Sequence, residues 1–77
     1  MLFLIEYDRK SGKIVTFRSF HDSEKDEAEH TRLEKELELN RLGVEREVVI
    51  LEAPTEAAVR RTHRRYFESL RELVETS

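Results

Sequence analysis

Four arginines surround one histidine in the stretch AVRRTHRRYF, residues 58–67: Arg60, Arg61, Arg64 and Arg65 flank His63. Residues of these types support three chemistries. Guanidinium groups gathered on one surface grip phosphates. An imidazole that titrates near neutral pH serves as a general base. The same ring, joined by further ligands, holds a transition metal. Each chemistry demands its own geometry, so the helix that carries the stretch decides among them.

With 100° per residue and Val59 at the origin, Tyr66, Phe67, Leu70, Leu73 and Val74 share an arc from about −40° to 80°, and His63 falls inside it. The four arginines spread over the opposite side with Arg71, Glu68 and Glu72. The arginines are therefore expected on a solvated face, and His63 half-buried against a backbone carbonyl or Tyr66. Glu56 and Arg60, like Arg64 and Glu68, stand four apart and pair weakly, whereas Arg60/Arg64 and Arg61/Arg65 repel. The resulting basic patch, together with Arg9, Lys10 and Lys13 of an upstream turn, is the candidate surface for nucleic acid.

His30 repeats the pattern upstream. His30, Leu33 and Leu37 follow one another at i, i+3 and i+7, an apolar seam expected to pack inward. A second stripe, Ala28, Lys35, Leu39 and Leu42, runs beside it. If both histidines met at a junction, Glu34 or Asp26 could complete a zinc or nickel site. The sequence has no cysteine and no H-x-x-x-H or H-E-x-x-H spacing, so metal binding at His63 and His30 is a minor alternative and no cofactor is expected. His21, in a connection, is expected to be exposed. The SGK at 11–13 lacks the glycine spacing of a phosphate loop, and two glycines cannot build a dinucleotide fingerprint. An enzyme is not expected, although a cleft between two copies could gather Tyr7, His63 and Tyr66.

Charge narrows the partners. Charged residues make up 40% of the 77-residue chain, yet the net charge is −3. Residues 22–42 carry eight acids and four bases, while residues 8–18 carry one acid and four bases. A dedicated duplex binder would show one strongly basic face instead. The opening apolar run of five residues is too short for a signal-peptide core or a membrane span. A cytoplasmic protein with no membrane partner is expected, consistent with the absence of cysteine.

The elements that must position these residues are read from periodicity. LFLIEY at 2–7 and KIVTFRSF at 13–20 flank the turn DRKSGK, a β-hairpin with Gly12 supplying positive φ. The acidic run from 22 reads as a helix that Asp22 or Ser23 caps and Gly43 stops. VEREVVILEA is a third strand, and Pro54 with Thr55 opens a second helix expected to run to Val74. The fragment ILEAPTEAAVRRTH, residues 50–63, resembles a strand–helix unit common in ferredoxin-like domains; the resemblance implies a helix packed on its sheet and carries no site residue.

The expected architecture is one α+β domain of order β-β-α-β-α. It has a three-stranded sheet, order 2-1-3 and antiparallel, in two layers with both helices on one face. The alternative order is 1-2-3. Phe3, Ile5 and Tyr7 would face the helices. Leu2 and Leu4, with Ile14 and Thr16 of the second strand, would then form an open apolar face. Such a face marks an interaction surface, so the expected function is a protein-interaction module that forms a homodimer or docks another protein. Nucleic-acid binding is the runner-up.

Overall fold

The computed structural model describes residues 1–67. The hairpin pairs β1 (Leu2–Asp8) with β2 (Lys13–Phe20). Its turn closes on Gly12, at φ +68°, whose N–H donates to the Asp8 carbonyl at 2.8 Å. The Asp8 carboxylate accepts the Lys10 N–H at 3.0 Å, a bond that holds its pKa below the usual aspartate value. A 3-10 turn (Asp22–Glu24) leads into α1 (Lys25–Leu42), and the Glu24 carboxylate accepts the His21 N–H at 2.8 Å. This is one half of a capping box, which satisfies an orphan donor at the helix start. At the far end Gly43 is left-handed, Gly43 N–H donates to Asn40 and Val44 N–H to Leu39. That pair of bonds is a Schellman stop, which needs the positive φ that glycine takes at least cost.

β3 (Glu47–Glu52) follows, then α2 (Glu56–Thr62). Pro54 sits one residue ahead of the cap; the Thr55 hydroxyl accepts the Ala58 N–H at 3.1 Å. α2 stops at His63, whose φ of −122° and ψ of 49° leave the helical region, and a single turn, α3 (Arg64–Phe67), continues in a new direction. The second helix is thus broken where one continuous helix was expected. Glu68, Leu70, Arg71, Glu72, Leu73 and Val74 lie outside the described residues.

The strand order is β2-β1-β3, antiparallel throughout, as expected. The helices do not share a face. α1 covers Leu2, Leu4, Phe20 and Val48 with Ala28 and Leu39. α2 and α3 cover the other side: Tyr66 meets Tyr7 edge-on at 5.2 Å between ring centres, Phe67 meets Phe17 at 5.5 Å, and Phe17 stacks on Phe3. The cause lies in β1. Its residues Leu2–Ile5 are apolar on both faces, and neither face is stable in water. Each layer of helix supplies one cover.

Two further expectations change. The register slips between Glu6 and Tyr7: Glu6 faces Thr16, but Tyr7 faces Ile14, leaving Val15 as the extra residue of a bulge. Ile14 therefore lies on the α2–α3 side and Thr16 on the α1 side. Within α1, the Ala28–Lys35–Leu39 stripe turns inward, and His30, Leu33 and Leu37 point out.

Candidate functional site

The open apolar face is absent. Leu2 and Leu4 are 7% and 0% exposed, interred beneath α1, and the bulge parts Ile14 from Thr16. Thr16 is instead one of three donors to Glu6, a carboxylate only 5% exposed. Glu6 stands in phase with Leu2 and Leu4 on β1, so the helix that covers them covers it too. Arg46 Nη1 donates to Glu6 Oε2 at 2.7 Å, Thr16 Oγ1 to Oε1 at 3.0 Å and Lys35 Nζ to Oε1 at 3.4 Å. Burial pushes the Glu6 carboxyl upward, but these donors together hold it below its usual value. The cluster is a structural ion network in which Arg46, Thr16 and Lys35 engage both carboxylate oxygens, while Arg46 Nε, buried beside it, keeps no hydrogen-bond partner among the described residues.

On the other side of the sheet Glu47 draws together the hairpin and the arginine-rich helices. Tyr66 donates its hydroxyl to Glu47 Oε1 at 2.7 Å, Arg65 Nη2 reaches the same oxygen at 3.2 Å, and Arg9 Nε lies 3.6 Å from Oε2. The Tyr66 bond and the two guanidinium charges lower the Glu47 pKa against the pull of burial, while burial and the Glu47 carboxylate raise that of Tyr66. Arg65 also lies 4.3 Å over the Tyr66 ring. Arg60 pairs with Glu56 at 3.1 Å and covers Phe67 at 4.7 Å. Arg61 and Arg64 are exposed. The basic patch is therefore divided. Arg60 lies against the aromatic cluster, and Arg65 and Arg9 converge on one carboxylate that takes up their charge.

The histidines are separated. His30 stands exposed on α1 with Nε2 2.8 Å from Glu34. His63 is half-buried at the end of α2, across the sheet, its backbone N–H bonded to Val59 and its ring 6.4 Å from that of Tyr66. Among the described residues no group of three histidine or acidic side chains is placed to hold a metal. An open depression of about 340 Å³ lies between the hairpin turn and the α1–β3 connection, lined by Arg9, Lys10, Glu45 and Arg46. Arg9 and Arg46 already face Glu47 and Glu6, so little net charge is left there to attract an anion.

The outward side of α1 is different. Leu33 and Leu37 are 49% and 59% exposed, one turn apart, on the side of the helix opposite Ala28. Val44, just past the helix, is also exposed. Glu29, Glu34 and Glu36 border the leucines, and Arg32 bridges Glu29 and Glu36. Glu6 and Glu47, the anchors of the two polar clusters, were not singled out from sequence. Their signal was the strand period: Glu6 in phase with Leu2 and Leu4, Glu47 with Val49 and Leu51. An acid in the buried phase of a strand demands a cation from whatever covers it.

Among the described residues no helix is long and apolar enough to cross a membrane. A scan against protein-family models finds no match, and neither the curated proteins nor the solved structures yield one.

Proposed function

We propose that this domain is a non-catalytic docking module, working in a reducing cytoplasm, that receives a basic amphipathic helix on the outward face of α1. One observation carries the reading: Leu33 and Leu37 stand exposed within an acidic border, on a helix whose opposite side already fills the core. Leucines spaced i, i+4 match the apolar anchors of a partner helix, and burying the pair removes their surface from water. The acidic border selects the partner's charge. Residues 26–41 hold six acids against Arg32, Lys35 and Arg41, and Lys35 is spent on Glu6. A complementary helix carries Lys or Arg beside its apolar stripe.

The test is an NMR titration of the whole chain with a synthetic helical peptide bearing a leucine stripe flanked by lysines. A single-stranded oligonucleotide serves as the parallel arm. Shifts centred on Leu33 and Leu37, weakened by salt and lost in Leu37→Glu, support the reading. Shifts confined to Arg9, Lys10 and Arg61 with the oligonucleotide, and none with the peptide, replace it with nucleic-acid binding. Peptide shifts that survive Leu37→Glu overturn it.

A further inference from the structure

The sheet has two edges, and they are built differently. β2 carries Lys13, Arg18 and the bulge at Val15, devices that discourage a further strand. β3 reads Glu-Val-Val-Ile-Leu-Glu: its four interior residues include no charge, proline or glycine, and its pairing with β1 runs without a bulge. Val49, Ile50 and Leu51 are only partly buried, and among the described residues no strand lies beyond them.

The backbone says which groups are open. Ala53 N–H donates to the Met1 carbonyl at 3.1 Å, and the Met1 nitrogen to the Ala53 carbonyl at 3.0 Å. A pair that exchanges both bonds fixes the alternation along an antiparallel ladder. Glu47, Val49 and Leu51, in the same phase as Ala53, turn their N–H and C=O toward β1. Val48, Ile50 and Glu52 turn theirs outward.

We propose that β3 pairs with β3 of a second copy, antiparallel about a two-fold axis, to make one continuous six-stranded sheet. The outward groups require even-numbered residues to face even-numbered residues. A two-fold at Val49 meets that condition and places Val48 opposite Ile50 and Arg46, the residue just ahead of β3 whose guanidinium is shared with Glu6, opposite Glu52, each twice. A two-fold at Ile50 also meets it, but sets the Glu52 carboxylate opposite Val48. Charge therefore selects the Val49 axis, since opposite charges across a strand pair stabilise it. The same parity keeps faces matched: the α1 layers of both copies lie on one side of the joined sheet, and the α2–α3 layers on the other. The docking face of α1 takes no part in this contact.

The register is tested by cross-linking, which the absence of native cysteine makes clean. At the two-fold the partner α-carbons of a non-hydrogen-bonded pair approach to about 4.5 Å. Val49→Cys should oxidise to a covalent dimer far faster than Leu51→Cys, and sedimentation equilibrium of the unaltered chain should show a monomer–dimer equilibrium. Glu52→Lys, at an exposed position outside the core, should weaken the dimer about tenfold by replacing two attractions with two repulsions. It also keeps the test open if Val49→Cys fails to fold. A chain that sediments as a monomer at every soluble concentration overturns the proposal, as does a dimer that is indifferent to Glu52→Lys or that cross-links no better at 49 than at 51. Leu37→Glu should leave the dimer intact, which separates this contact from peptide docking.

Discussion

Replacing Arg46 with methionine removes the shortest of the three donors to Glu6 while keeping an apolar stem of similar length. Oε2 of Glu6 then loses its 2.7 Å partner, and Oε1 keeps Thr16 at 3.0 Å and Lys35 at 3.4 Å. A charge-assisted bond to a buried group is worth roughly 1.5–3 kcal/mol, and leaving a carboxylate short of partners adds to the loss. Arg46 is itself partly solvated, which trims the effect, so the expected destabilisation at neutral pH is about 2–3 kcal/mol. A domain of 77 residues holds roughly 4–12 kcal/mol in all, so urea melts followed by far-UV circular dichroism resolve the change easily. The pH dependence gives a second reading of the same interaction. Because the folded state depresses the Glu6 pKa, its contribution is present above the unfolded glutamate value and is lost as pH falls through the folded one. The variant lacks most of that contribution, so the gap between the two proteins should narrow as the solution is acidified below about pH 4. Adding Glu6→Gln to the variant should recover part of the loss, since it removes the charge that has been stranded. A destabilisation under about 0.5 kcal/mol, or one that stays constant from neutral to acid pH, refutes the reasoning.

Two other substitutions probe the opposite layers. Tyr66→Phe should cost about 1–1.5 kcal/mol in the same urea melts by removing the hydroxyl bond to Glu47. It should also raise the Glu47 pKa, read from the carboxyl carbon in an NMR titration, because that bond is the main cause of its depression. The stability that Glu47 contributes lies above its unfolded pKa and fades as pH falls, so the variant should lose less on acidification. Leu4→Ala, beneath α1, should cost about 2–5 kcal/mol, whereas Leu37→Ala on the outer side of the same helix should stay within about 0.5 kcal/mol of the unaltered chain; equal costs contradict the assignment of the α1 faces.

The hairpin, the Gly43 stop, the Thr55 cap and the strand order follow from turn chemistry and periodicity, and these are local signals. What escaped the sequence was decided by partners distant in the chain. On hydrophobicity alone His30–Leu33–Leu37 is a better inward seam for α1 than a stripe containing Lys35. Glu6 reverses the choice. Its carboxylate shares a face with Leu2 and Leu4, and the side of α1 that lies over it must bring a cation. The bulge at Val15 is invisible to a period-two count, which continues unbroken through KIVTF. The break at His63 likewise leaves the helical spacing of Val59, His63 and Tyr66 intact on paper. It lets Tyr66 reach Glu47 and Phe67 reach Phe17, contacts that only the folded sheet provides. The candidate docking leucines were visible in the sequence as a pair, but their orientation depended on Glu6.

One strand supplies both halves of the core. Leu2 and Leu4 belong to the layer under α1, Phe3 and Ile5 to the layer under α2 and α3, and all four sit on β1. Removing either layer would bare one side of a strand whose other side still depends on the remaining layer. Neither half has a scaffold of its own, so the domain should melt as a single cooperative unit with no half-open intermediate, and damage to either layer should be felt by the other.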